Sequence, residues 1–185
     1  MATRILTVPN QLTFLRLVFL PFFIILIYYD RYTWALVILL AAGLTDTLDG
    51  LLARRLNQKT ALGAYLDPIA DKLLLSSSFL ILALKHELAW WLAILVLGRD
   101  LLILMAAAVI LLVVGYRPFP PSLYGKATTV TQMVLVVLVI AGAALGSQRL
   151  ETIERVFSYL VAAFTVLSGL HYSIRAARQL GSPSS

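Results

Sequence analysis

The fold of this chain is decided by residues 46–71, DTLDGLLARRLNQKTALGAYLDPIAD, which set four aspartates among apolar neighbours. Asp46 and Asp49 are three residues apart, and Asp67 and Asp71 are four apart. On a helix, residues at either spacing are neighbours on one face. The polar run 57–60 separates the two pairs. This pattern predicts a helical hairpin that brings all four carboxylates together.

The composition of the whole chain indicates a membrane protein. Of the 185 residues, 61% are hydrophobic and 13% are charged, an apolar excess that a soluble domain of this size cannot bury. The chain has no cysteine, which excludes disulfides, thiolate metal sites and cysteine nucleophiles. The net charge of +6 is spread over the connections between apolar runs, a pattern that argues against nucleic acid as a partner.

We therefore predict an all-α fold, a polytopic membrane helical bundle with six transmembrane helices and a short interfacial N-terminal segment. The chain forms a single domain, residues 1–185, with spans at about 10–29, 33–56, 62–84, 88–114, 124–146 and 154–178. One set of connections is rich in bases and almost free of acids: Arg4, Arg54, Arg55, Lys59, Arg117, Lys126, Arg175 and Arg178. By the positive-inside rule, both termini and the aspartate hairpin face the cytoplasm.

The four carboxylates of the hairpin need compensating positive charge, because one acid at mid-span costs about 2.5–3.5 kcal/mol on insertion scales. One interpretation is that they form inert bridges with Arg54, Lys72 and Arg99. These bases are fewer than the acids of the hairpin and Asp100 together, so the other interpretation adds a divalent cation. Ligands that are all oxygen favour Mg²⁺, with Mn²⁺ as a substitute. One or two ions would fit.

The hairpin carries a recognisable motif, Asp46-x2-Asp49-Gly50-x2-Ala53-Arg54-x8-Gly63-x3-Asp67-x3-Asp71. At every fixed position it resembles the signature of the CDP-alcohol phosphatidyltransferase family, and the likeness extends over nearly the whole chain. The resemblance implies a helical membrane bundle that commonly forms a homodimer. It implies phospholipid synthesis, in which a phosphatidyl group moves from CDP-diacylglycerol to an alcohol and CMP leaves. It also implies a multi-pass protein among membrane lipids, with the bacterial inner membrane as the expected location.

The resemblance also implies roles for individual residues. Asp46, Asp49 and Asp67 would hold the metal, and Asp71 would act as general base for the acceptor hydroxyl while also touching metal; the alternative for Asp71 is a fourth metal ligand only. The CDP donor would be bound by Thr13, Asp46, Gly50, Ala53, Arg54 and Gly63. Close helix packing is the alternative for Gly50, Ala53 and Gly63. A flanking cytoplasmic charge is the alternative for Arg54.

The acceptor is predicted from two further motifs, Pro9-Asn10-x2-Thr13-x2-Arg16-Leu17 and Gly125-Lys126-x2-Thr129-x2-Gln132. Both resemble the branch of the family that makes phosphatidylglycerophosphate and cardiolipin. The resemblance implies an acceptor site made by Arg99, Arg117, Lys126 and Thr129, with glycerol 3-phosphate as the acceptor and phosphatidylglycerol as the second choice. Inositol phosphate and serine are more remote. Inert pairing of Arg99 with Asp100 or the hairpin acids is the alternative.

Two positions depart from the pattern of relatives that use glycerol 3-phosphate. These relatives usually have a lysine where this chain has Thr128 and a glutamate where it has Asp100. The departures favour phosphatidylglycerol as the acceptor.

A cation carrier or channel is an alternative of another class, since acids inside a membrane can line an ion path. A pore would distribute its acids through both halves of the bilayer, whereas these four cluster in one half. Ion flux without lipid turnover would identify a carrier.

Overall fold

The structure, a computed structural model, describes residues 8–56, 61–113 and 123–180. Within these ranges the chain is helical between short turns and contains no strand. The helices are α1 (Val8–Tyr28), α2 (Tyr32–Leu56), α3 (Ala61–Leu84), α4 (Trp90–Val113), α5 (Leu123–Leu145) and α6 (Gln148–Leu180). Their lengths run from 21 to 33 residues, and about 20 residues suffice to cross a bilayer. The predicted all-α helical fold is confirmed.

The starts of two helices differ from the predicted spans. Helix α1 begins at Val8 with Pro9 in its first turn, where a missing N–H costs no hydrogen bond. Helix α6 begins at Gln148, so the predicted connection before Glu154 is helical instead. The Ser147 carbonyl accepts the first backbone hydrogen bonds of this helix, and Glu151 lies in its first turn, where the helix dipole favours an acid. The predicted N-terminal segment lies almost wholly outside the described residues.

The six helices pack as a closed ring in the order α1, α2, α5, α6, α4, α3, and α3 also contacts α5 across the middle. The interior is filled by large apolar side chains such as Phe23, Phe79, Leu92 and Leu135. The contact between α3 and α5 divides the ring into two groups of four helices. One group is α1, α2, α3 and α5, and the other is α3, α4, α5 and α6.

Three tight turns lie together at one end of the bundle. The α1–α2, α3–α4 and α5–α6 turns each contain a residue in the left-handed conformation, namely Asp30 (φ 58°), His86 (φ 62°) and Gly146 (φ 57°). In each turn the next residue donates its N–H to the carbonyl five positions earlier, which is the Schellman arrangement that ends a helix.

An ion pair joins two of these turns. Lys85 Nζ lies 2.7 Å from Asp30 Oδ1, and its hydrogen bond holds the pKa of the exposed Asp30 carboxyl below its usual value. Since the starts of α2 and α4 meet at this end, the Leu56 end of α2 and the Ala61 end of α3 lie at the opposite end of the bundle. The α2–α3 connection of the predicted aspartate hairpin is therefore at the end away from the three turns.

The outer surface of the bundle is that of a membrane protein. Two of the described helices, Leu123–Leu145 and Gln148–Ala177, are long and apolar enough to cross a membrane. Tyrosine and tryptophan concentrate where a chain meets the lipid headgroups. Exposed aromatic side chains gather near the three turns: Tyr28, Tyr29, Trp34, Trp90, Trp91 and Tyr159.

Candidate active site

The aspartate motif lies on two described helices. Asp46 and Asp49 belong to α2, and Asp67 and Asp71 belong to α3, so the helical spacing predicted for each pair is that of the structure. The side chains of these aspartates lie outside the described residues. The same holds for the side chains of Thr13, Ala53 and Arg54 and for the surroundings of Gly50 and Gly63, and Arg117 lies outside altogether. The predicted donor-binding and metal-binding contacts remain predictions.

A cavity of about 490 Å³ opens between α3, α4, α5 and α6. We call it the cationic pocket, and it is lined by Lys72, Arg99, Ile103, Gly125, Lys126, Thr129, Val130 and Tyr172. Lys72 directly follows Asp71 in the chain. The pocket therefore starts beside the helix segment that carries the proposed base.

Arg99 is the buried cation of this pocket, with 8% of its surface exposed. Its NH1 donates to Asp100 Oδ1 at 2.7 Å, and its NH2 donates to Ser168 Oγ at 2.5 Å. In the part of the chain that the structure describes, the buried Nε–H has no hydrogen-bond partner. A buried charged donor without a hydrogen bond costs free energy, because it has lost its hydration. An oxygen of a bound anion would supply the missing hydrogen bond.

Helix α6 supplies the surface against which Arg99 rests. Ser168 is fully buried and accepts the hydrogen bond from NH2. The Tyr172 ring centroid lies 5.7 Å from the Arg99 guanidinium carbon, within the range of a cation–π contact. The Gly169 backbone lies against the Arg99 stem, because a Cβ there would be 3.7 Å from Cγ. These contacts fix the plane of the guanidinium.

Three residues that line the cationic pocket or contact Arg99 are not among the predicted site residues: Lys72, Ser168 and Tyr172. The sequence predicts Lys72 only as a bridge to the hairpin acids, although its position next to Asp71 is a usable signal. Ser168 and Tyr172 carry no signal, because a serine and a tyrosine in an apolar span are also ordinary packing residues.

The structure brings together three of the predicted acceptor residues, Arg99, Lys126 and Thr129, in the wall of the cationic pocket. Lys126 is exposed near the start of α5. Thr129 Oγ1 donates to the Gly125 carbonyl at 3.1 Å, which leaves its oxygen as an acceptor only. Thr129 lies in the wall of the pocket, and its predicted contact with the acceptor stays a prediction.

Thr128 faces away from the pocket. It is fully buried, and its hydroxyl lies 2.7 Å from the Tyr124 carbonyl and 3.1 Å from the Phe164 carbonyl of α6. Position 128 is not part of the wall of the cationic pocket. A threonine there instead of a lysine therefore takes no positive charge from that wall.

A second cavity, of about 220 Å³, lies in the other half of the ring, between α1, α2, α3 and α5. Its wall is mostly apolar and includes Leu39, Leu74 and Met133, together with the buried Arg16. Arg16 thus faces the interior of the bundle. Thr129 and Val130 line both cavities, so this turn of α5 is the partition between them.

The comparisons with known proteins agree with the motif. A sequence profile of the CDP-alcohol phosphatidyltransferase family matches residues 6–167. The chain is 34% identical to a "Probable phosphatidylglycerophosphate synthase" of Mycobacterium tuberculosis, over 96% of this chain and 85% of that protein. It is 35% identical to a "Cardiolipin synthase (CMP-forming)" of Streptomyces coelicolor, over 95% and 85%.

Another relative has a higher sequence identity over a shorter stretch. The chain is 43% identical to a "CDP-diacylglycerol--glycerol-3-phosphate 3-phosphatidyltransferase" of Escherichia coli over 45% of this chain and 47% of that protein. The profile covers most of the chain, and the relatives from Mycobacterium tuberculosis and Streptomyces coelicolor align along nearly all of it. This protein is therefore a member of the CDP-alcohol phosphatidyltransferase family.

Proposed function

We propose that this enzyme moves the phosphatidyl group of CDP-diacylglycerol to glycerol 3-phosphate and releases CMP. The observation that carries the proposal is the buried Arg99 guanidinium in the cationic pocket, with its Nε–H unsatisfied among the described residues. A planar fork of N–H donors beside two lysines suits a phosphate group. Phosphatidylglycerol, whose phosphate offers the same oxygens, is the second candidate acceptor, and the family relatives include both kinds of enzyme by name.

The proposed metal site is made of carboxylates. Its four ligands would be Asp46, Asp49, Asp67 and Asp71, and the helical spacing of each pair in α2 and α3 and the all-oxygen donor set fit Mg²⁺ or Mn²⁺. Such an ion would offset the negative charge of the donor pyrophosphate and polarise the phosphorus. Asp71 would take the proton from the acceptor hydroxyl, since a carboxylate near other acids and away from water is a stronger base than usual.

The donor would approach the helices at their small residues. Gly50 and Ala53 on α2 and Gly63 on α3 lack bulk, which would allow cytidine or phosphate oxygens to come close to the backbone. Arg54 would bind phosphate, and Thr13 of α1 would complete the donor site. Both substrates would then meet at the Asp71 segment, where α3 borders the cationic pocket.

We further propose that the active site faces the cytoplasm, with both termini on that side. The support is the sequence of the connections away from the three turns, which are rich in bases and almost free of acids. A bacterial inner membrane and a homodimer are proposed as well, the first because the relatives described are bacterial and the second because of the family resemblance.

The test is CMP release by the purified protein in mixed micelles with CDP-diacylglycerol and Mg²⁺. Glycerol 3-phosphate, phosphatidylglycerol, inositol 1-phosphate and serine are compared as acceptors, and the lipid product is identified by mass. We expect release with glycerol 3-phosphate that stops when EDTA removes the metal. Release with phosphatidylglycerol alone would replace the proposed acceptor, and release with none would overturn the proposal.

The contribution of Lys126 to the acceptor site can be measured separately. We expect Lys126→Ala to raise the KM for glycerol 3-phosphate about tenfold, since an exposed charged hydrogen bond is worth about 1.5 kcal/mol. The KM for CDP-diacylglycerol should stay within about twofold of its original value. Lys85→Ala removes a lysine at the other end of the bundle and is the matched control. An unchanged acceptor KM in Lys126→Ala would remove this residue from the acceptor site.

A further inference from the structure

One carboxylate serves two cations of the pocket. Asp100 Oδ1 lies 2.5 Å from Lys72 Nζ and 2.7 Å from Arg99 NH1, and only 11% of the Asp100 side chain is exposed. The pair of contacts joins α3 to α4 directly beside the pocket. Asp100 is thus the shared counter-ion of a lysine and an arginine that line the cavity.

The charge of the pocket follows from this contact. Lys72, Arg99 and Lys126 supply three positive charges in the wall, and Asp100 subtracts one, since it pairs with Lys72 and Arg99. The two candidate acceptors differ in charge. A phosphomonoester such as glycerol 3-phosphate carries about −1.5 to −2 at pH 7, whereas the phosphodiester of phosphatidylglycerol carries a single negative charge.

We infer that Asp100 is a specificity-determining residue. Its carboxylate makes the preference of the pocket for a doubly charged phosphomonoester over a singly charged phosphodiester smaller than it would otherwise be. The inference rests on the proposed function. The Asp100 carboxylate repels each acceptor in proportion to the charge of its phosphate, so the repulsion falls more heavily on the monoester. Arg99 and Lys126 present the same donors to both. Asp100 thereby allows the pocket to bind both phosphomonoesters and phosphodiesters.

The size of the effect follows from Coulomb's law. Two unit charges about 5–6 Å apart, in a medium of effective dielectric constant about 20, change a binding constant by roughly two orders of magnitude. The two acceptors differ by only about 0.5–1 charge, and salt reduces the interaction further. We therefore expect Asp100→Asn to raise the ratio of kcat/KM for glycerol 3-phosphate to kcat/KM for phosphatidylglycerol by about tenfold. A disturbance of packing or of the chemical step that acts equally on both acceptors cancels in the ratio.

The experiment measures this ratio for the full chain in mixed micelles of fixed CDP-diacylglycerol content. If one acceptor does not react, affinities are compared instead, as the ratio of the Ki of that acceptor, measured as a competitive inhibitor, to the KM of the reacting acceptor. Asp100→Glu keeps the charge and should give a ratio closer to that of the original protein than Asp100→Asn does. Asp30→Asn breaks the ion pair with Lys85 at the other end of the bundle and should leave the ratio unchanged.

A second variant keeps the inference testable if Asp100→Asn does not fold. Lys72→Gln removes one positive charge from the pocket wall and should lower the same ratio, opposite in sign to Asp100→Asn. A ratio that moves in neither variant, in active protein, would overturn the inference and leave Asp100 as a packing ion pair. Original protein that releases CMP with neither acceptor would overturn the proposed function instead, so the two failures are distinguishable.

Discussion

Asp67→Asn, and equally Asp46→Asn or Asp49→Asn, should lower CMP release by about 10³-fold. The physical reason is that each change removes one negative oxygen from the proposed metal site, and the charge stabilisation that a metal gives to phosphoryl transfer is worth several kcal/mol. Initial rates across a series of Mg²⁺ concentrations are the measurement. Each variant should also need more Mg²⁺ to reach its own half-maximal rate.

The matched control is Asp30→Asn, which removes an aspartate from the turn between α1 and α2 and should keep the original rate. A folded Asp46, Asp49 or Asp67 variant with the original rate and Mg²⁺ dependence would remove that residue from the proposed site.

Asp71→Asn should lower kcat by about 10²–10⁴-fold, the usual contribution of a positioned general base. The KM for CDP-diacylglycerol should change little, because a base acts on the acceptor hydroxyl and not on the donor. The measurement is the pair of constants, kcat and donor KM, at several Mg²⁺ concentrations up to saturation. A variant whose rate recovers when Mg²⁺ is raised would identify Asp71 as a metal ligand only, which is the alternative that the sequence left open.

Membership of an enzyme family leaves the cation carrier without support, although the sequence had kept it as an alternative. The acceptor was harder to predict than the family. The aspartate motif depends on residues within one hairpin, whereas the cationic pocket is assembled from α3, α4, α5 and α6. Sequence spacing carries little information about contacts between helices far apart in the chain.

Arg99 is a residue whose partners the sequence left open and the structure identifies in part. The sequence offered three partners for it: a substrate phosphate, Asp100, or the hairpin acids. The structure pairs it with Asp100 and Ser168 and still places it in the wall of the pocket. Pairing with Asp100 and a role toward an anion are therefore compatible, because a guanidinium has five N–H donors.

The sequence by itself determined the helical fold, the membrane setting and the family. In lipid every backbone polar group needs an internal partner, so long apolar runs become helices, and the spacing of the aspartates then places each pair on one face. Only the tertiary structure decided the ring order of the helices, the burial of Thr128 against α6 and the sharing of Asp100 by Lys72 and Arg99. The reason is that a membrane helix is apolar on its lipid face and on its inner face alike. Periodicity therefore cannot tell which side chains point toward a neighbouring helix, and that direction is set by packing.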